Sequence, residues 1–209
     1  MNKKINTLIQ TIFPNKKENI FIISLVLLGI IAGSIFILFI SKEDIALMTN
    51  RITNFFSSVK ENKIEYGQVL ANGLILNLSY TLIMWILGMS IIGIPINLFL
   101  VFFKSFIISF TLGSLIKVYN LKGLLASSLY AIPIQLINII IIITIGIYTY
   151  NFSKKLIISL KTSQNNFFKK NFKKYFIILI CTLFLSTISV LLETYYFPTI
   201  IKLIINFFV

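Results

Sequence analysis

Residues 66–103, YGQVLANGLILNLSYTLIMWILGMSIIGIPINLFLVFF, contain no charged side chain. The stretch is nearly twice as long as the roughly 20 residues that one helix needs to cross a bilayer. Gly88, Gly93 and Pro95 lie near its middle, and these residue types favour a turn. We therefore interpret the stretch as two membrane-spanning helices joined by a tight turn.

The composition of the whole chain supports a membrane environment. Its 209 residues are 57% hydrophobic and 12% charged, and the mean hydropathy is +0.95. Soluble domains carry about twice this fraction of charge. The length allows several spans with short connections but hardly a separate soluble domain. We predict an all-α fold, a polytopic transmembrane helix bundle of about five spans with an external amphipathic helix, forming one membrane domain over 1–209.

Further apolar stretches complete the set of spans. Residues 19–41 carry no charge, and they lack the small-residue cleavage site of a signal peptide, so we expect an anchor. Pro133 falls within the fourth stretch, where neighbouring helices can satisfy the carbonyl that it frees. The predicted spans are residues 20–40, 69–89, 96–116, 124–148 and 175–197.

Lysines set the expected orientation, because basic loops stay on the cytoplasmic side. The N-terminus has four lysines before the first span, and segment 151–174 has seven and no acid. Five spans place both on one side, which we predict to be the cytoplasm. External segment 42–68 and the C-terminus then lie outside, as does the connection that contains Lys117 and Lys122.

The basic segment mixes lysines with Leu, Ile and Phe. Such a surface attracts anionic lipid headgroups, each lysine contributing about 1 kcal/mol; a cytoplasmic partner is the alternative. The candidate lipid-surface lysines are Lys154, Lys155, Lys169, Lys170, Lys173 and Lys174.

The external segment has the pattern of an amphipathic helix. Its apolar residues recur at spacings of three and four, and Ser41 followed by Asp44 predicts an N-cap. The helix could lie on the outer membrane surface or serve as a docking face for a partner. The candidate partner-binding residues are Ile45, Met48, Ile52, Phe55 and Val59.

Lys104 is an unusual residue, because it lies roughly 12 Å inside the third predicted span at a 1.5 Å rise per residue. A lysine there costs about 2.5 to 3.5 kcal/mol on insertion scales, so it should face the protein interior. Candidate acceptors are Asn77, Gln135 and Asn138. The role of the lysine is either structural or functional.

Small residues predict close helix packing. Ser105, Ser109 and Gly113 recur at a spacing of four, and Gly29 with Gly33 forms a GxxxG pattern. Small side chains let helix backbones approach closely. We expect this contact within the bundle; the alternative is contact with a second copy, which would make a homo-oligomer.

The residue types give no support for catalysis. The chain has no His, and Cys181 is its one cysteine, so the usual zinc ligand sets and His-based triads cannot be assembled. We predict no enzymatic activity, metal or cofactor. A nucleic-acid partner is also not expected, because the lysines fall between apolar stretches and not along one soluble face.

Glu193 is expected at the outer end of the fifth span, near Lys117 or Lys122.

A set of motifs between Gly88 and Pro133 resembles the central part of the stage II sporulation protein M family. Two positions differ, because family members tend to have Gly where this chain has Ser105 and Ser109. The matching residues are Gly88, Gly93 and Pro95, then Lys104-Ser105-Phe106, Phe110 and Gly113, then Lys122-Gly123-Leu124-Leu125, and Pro133.

This resemblance implies a function in endospore formation. It implies a polytopic protein of the mother-cell membrane, a scaffold that positions the peptidoglycan-degrading stage II sporulation proteins P and D at the septum during engulfment. The alternative is a transporter or channel subunit with a polar site around Lys104.

Overall fold

The structure, a computed structural model, describes residues 16–162 and 167–204. These two ranges contain helices and no strand, which confirms the predicted all-α class. Two π-helical turns, Ser127–Ala131 and Leu192–Tyr196, connect helices. The α-helices are α1 (Lys16–Phe36), α2 (Lys42–Lys60), α3 (Tyr66–Gly88), α4 (Gly93–Ala126), α5 (Ile132–Lys161), α6 (Phe167–Leu191) and α7 (Phe197–Ile204).

Within residues 16–162 and 167–204, five helical segments are long and apolar enough to cross a membrane. They are α1, α3, α4, α5 and the continuous segment Asn171–Lys202, which runs from α6 into α7. Residues 89–92 join α3 to α4, at the turn that the glycines and proline predicted. The number of spans agrees with the sequence analysis.

The helices extend beyond the uncharged stretches. α5 continues to Lys161, well past residue 148, and α4 continues past residue 116. Within α4, Asn120 breaks the helix with a φ of 51°, a left-handed conformation that Asn tolerates better than most residues. Charge marks where a helix meets the membrane surface, but the backbone hydrogen bonds continue beyond it, so charge alone does not give the helix ends.

α1 packs on α4 with almost no space between the two backbones. A Cβ atom placed on Gly29 would lie 2.5 Å from the Phe102 carbonyl oxygen, and one on Gly33 would collide with the carbonyl oxygen of Phe106. The pairing of 29 with 102 and 33 with 106 shows that the two helices run parallel. The GxxxG pattern of α1 therefore packs inside the chain.

The serine stripe of α4 lies on the same contact. Ser105 is fully buried, and the Ser34 and Ser109 hydroxyls are 2.6 Å apart. Gly113 continues the stripe against Ile37. Both sets of predicted packing residues thus meet one another across a single interface.

α5 occupies the centre of the bundle. Its residues Ile142, Ile145 and Ile147 are nearly inaccessible and belong to the main core cluster, together with residues of α1, α3 and α4. A helix that is apolar around its whole circumference is expected in this position. The other cluster members are Ile22, Val26, Met84, Val101 and Ile108.

The amphipathic helix α2 lies at one end of the bundle. The Ser41 hydroxyl accepts a hydrogen bond from the Asp44 amide, 3.1 Å away, so the predicted N-cap is confirmed. We call this the α2 end; it also holds α7, because Phe55 of α2 packs on Phe197. At the opposite end, which we call the basic end, Lys154 pairs with Glu18.

We expect Gly33→Val to destabilise the bundle, because the new side chain would have to displace the α4 backbone. Overpacking typically costs about 1 to 3 kcal/mol. Thermal unfolding in detergent would measure the loss. The same change at Gly67, where a Cβ meets nothing within 4 Å, is the control, and equal stability of the two variants would contradict the packing.

Candidate functional site

A cavity of about 300 Å³ lies among α3, α4, α5 and the junction of α6 with α7. We call it the polar cavity, because its walls carry one cation, one carboxylate and three side-chain amides. Exposed Leu76 and Ile107 also line it, so the cavity opens at the surface between α3 and α4. Its polar lining includes all four residues of the predicted intramembrane set: Lys104, Asn77, Gln135 and Asn138.

The side chain of Lys104 extends toward α3. Its Nζ donates to Asn77 Oδ1 at 3.4 Å and lies 5.1 Å from the centre of the Tyr80 ring. Tyr80 is held in turn by its hydroxyl, which donates to the Leu100 carbonyl oxygen at 2.5 Å. An amide oxygen and an aromatic face are both suitable partners for a cation removed from water.

Gln135 and Asn138 form a separate hydrogen-bonded group on the α5 wall. Asn138 Nδ2 donates to Gln135 Oε1 at 3.1 Å, and the Ser189 hydroxyl donates to Asn138 Oδ1 at 2.7 Å. Asn138 thus joins α5 to α6, and both amides line the polar cavity together with Lys104. Of the three predicted acceptors, Asn77 is the one that bonds to Lys104.

Glu193 also lines the polar cavity, where it interacts electrostatically with Lys104. The expected position near Lys117 or Lys122 was wrong. Glu193 lies in the π-helical turn after α6, a local widening often found at functional sites. The sequence did contain a signal, because residues 182, 186, 189 and 193 recur at helical spacing, and the first three are hydroxyl residues that are buried.

The polar cavity offers binding chemistry. An amine, a carboxylate and several amides can hold a polar or zwitterionic group, and the amine and the carboxylate can exchange a proton. No group of three metal-ligating side chains occurs within 16–162 and 167–204. Cys181 lies outside this site, on an exposed part of α6.

The apolar face of α2 is turned largely toward its own bundle. Val59 is fully buried, and Ile52 packs against a cluster formed with α4 and α7. Ile45 and Met48 are half-buried. Phe55 is 37% exposed. The helix thus docks intramolecularly through the C-terminal part of the face that the sequence assigned to lipid or a partner.

A groove remains between the end of α1 and the N-terminal half of α2. We call it the α1–α2 groove; its volume is about 560 Å³. Leu47, which is 61% exposed, and Phe39, which is 81% exposed, are among its lining residues. Asp44 and Arg51 add polar groups at its edge.

The predicted lipid-surface lysines lie at the basic end. Lys154, Lys155, Lys173 and Lys174 are exposed, and Lys154 makes a 2.5 Å ion pair with Glu18 of α1. The side chains of Lys169 and Lys170 lie outside the described part of the structure. The exposed positions are those that a charged membrane surface would reach.

The model of a known family matches residues 20–198: stage II sporulation protein M. This range holds all but the ends of the chain. The chain belongs to the stage II sporulation protein M family. Neither the curated proteins nor the solved structures contain a match. The stage II sporulation protein M match includes α2, the α1–α4 contact and the polar cavity, and it makes this chain a sporulation-related membrane protein.

We expect Lys104 and Glu193 to be energetically coupled. Lys104→Met and Glu193→Gln should each destabilise the bundle, and the double variant should lose less than the sum, with a coupling of about 1 kcal/mol. Unfolding by denaturant in mixed micelles would give the free energy of unfolding of the wild type, the two single variants and the double variant. A cycle of Lys117→Met with Glu193→Gln is the control and should show no coupling. Coupling to Lys117 and none to Lys104 would contradict the observed cavity.

Proposed function

We propose that the chain is an integral membrane scaffold for the engulfment step of endospore formation. It recruits septal peptidoglycan-degrading enzymes and holds them against the membrane, with stage II sporulation proteins P and D as partners. Membership of the stage II sporulation protein M family supports the cellular process. No catalytic step is assigned to the chain itself.

The docked position of α2 is the observation that carries this proposal. Phe56 and Val59 anchor the helix in a buried cluster, while Leu47 and Phe55 stay exposed. A surface that is already ordered loses little conformational entropy when a partner binds. The α1–α2 groove beside it gives a partner a concave apolar contact. Such a surface suits recruitment.

The charge distribution supports an outward-facing α2 end. Lysines concentrate at the basic end, and basic segments are retained in the cytoplasm. We therefore place the N-terminus inside and the C-terminus outside, in the septal and engulfing membrane of the mother cell. The α2 end would then face the peptidoglycan, where wall-degrading enzymes act.

Replacing Phe39 and Leu47 together by Asp should abolish capture of the wall-degrading enzymes, because two charges would be placed in the α1–α2 groove. Co-purification from sporulating cells with the tagged chain would measure capture. Asn50→Asp with Asn54→Asp adds the same charge to exposed positions of α2 and should leave capture intact.

Membrane insertion and thermal stability should be similar in both double variants. Capture that is unchanged in the Phe39 and Leu47 variant, or lost equally in both, would count against the scaffold. Ile52 and Phe55 are unsuitable for this test, because their side chains pack in the contact that docks α2 on the bundle.

The polar cavity favours transport as a second candidate function. Opposite charges of Lys104 and Glu193 share one cavity in the bundle, and intramembrane ionisable groups often mark ion or proton pathways. Proteoliposomes loaded with a pH-sensitive dye would report proton flux. Under this alternative, flux falls to the protein-free background in Lys104→Leu but not in Lys117→Leu. Wild-type chain without flux above that background would remove the candidate.

A further inference from the structure

A small pocket lies at the basic end, between α5 and α6. Lys155 and Asn151 of α5 face Lys174 and Asn171 of α6 across it. The lining residues include two lysines and no acid. Two lysines from different helices thus line one pocket, which differs from a general scatter of lysines over a surface.

The floor of this pocket is rigid and aromatic. Tyr175 stacks on Phe152 with ring centres 4.2 Å apart, and its hydroxyl donates to the Trp85 carbonyl oxygen at 2.7 Å. The Lys174 ammonium lies 5.9 Å from the centre of the Tyr148 ring. Packed aromatic rings beside two exposed lysines give an ordered site for an anion.

The size of the pocket restricts the ligand. Its volume is about 40 Å³, which admits a small polar group and excludes a nucleotide. Two lysines in this arrangement match a phosphate, because they donate hydrogen bonds and supply the opposite charge. The site lies where the apolar stretches of α5 and α6 meet their lysine-rich ends, the depth at which lipid phosphates occur.

We propose that this pocket binds the headgroup phosphate of an anionic phospholipid in the adjacent leaflet. The lipid phosphate is held between Lys155 and Lys174. The lipid thereby joins α5 to α6 at the end of the bundle. This inference is independent of the scaffold function, since it concerns only how the basic end meets lipid.

The test compares two double variants that lose equal charge. Lys155→Gln with Lys174→Gln removes the pocket cations, whereas Lys16→Gln with Lys17→Gln removes exposed lysines of α1 that do not line it. Purified full-length chain in micelles would be titrated with phosphatidylglycerol, and bound lipid counted by native mass spectrometry. We expect the affinity for phosphatidylglycerol to fall about 30-fold in the pocket variant and by less than about threefold in the control.

Several outcomes would overturn the proposal. Equal losses in both variants would mean that lysines act by general attraction alone. If the chain bound phosphatidylcholine as tightly as phosphatidylglycerol, the site would not require an anionic lipid. If millimolar inorganic phosphate displaced the lipid, the ligand would be a free anion. Lys155→Arg with Lys174→Arg keeps both charges and should keep binding, so a loss there together with intact folding would also contradict it.

Discussion

The close approach of α1 and α4 is the constraint on which the rest of the fold depends. Two glycines let the α1 backbone lie directly against the carbonyl groups of α4. Lipid tails are as apolar as the helices, so helices in a membrane associate through packing and hydrogen bonds and not through the hydrophobic effect. This contact fixes α1 beside the central helix α5 and fixes the point from which the chain enters α2. The end of α1 and the start of α2 form the walls of the α1–α2 groove, so the position of the groove depends on this contact.

Hydrogen bonds between helices add to this packing. The Ser153 hydroxyl donates to the Gly88 carbonyl oxygen at 2.6 Å, and Tyr175 makes a comparable bond to α3. Ser189 and Asn138 join α6 to α5 in the same way. Each bond in a membrane protein contributes about 0.6 kcal/mol on average, so these bonds define the arrangement more than they drive folding. They also keep Lys104 and Glu193 facing one cavity.

Much of the fold could be predicted, because long apolar stretches without charge indicate which residues lie in the lipid bilayer. The uncharged stretch 66–103 indicated two spans and their turn, and Lys104 bonds to Asn77, one of the three acceptors that the sequence suggested. The position of Glu193 was missed because its place near the end of an apolar stretch suggested the membrane surface. Its helical spacing from Ser186 and Ser189 was the better guide. The docking of α2 could not be predicted, because periodicity identifies an apolar face without showing whether lipid, a partner or the chain itself covers it.

A disulfide between α1 and α4 would test the central contact most directly. Ser34→Cys and Ser109→Cys, in a chain where Cys181 is replaced by Ser, should oxidise rapidly in native membranes, because the two hydroxyls are 2.6 Å apart. The account predicts an intrachain bond and a monomer on a non-reducing gel. Pairing Ser34→Cys with Thr111→Cys, on a different face of α4, should give no such bond. Disulfide-linked dimers in place of crosslinked monomers would show that the glycine stripe of α1 meets a second copy, and would contradict the account.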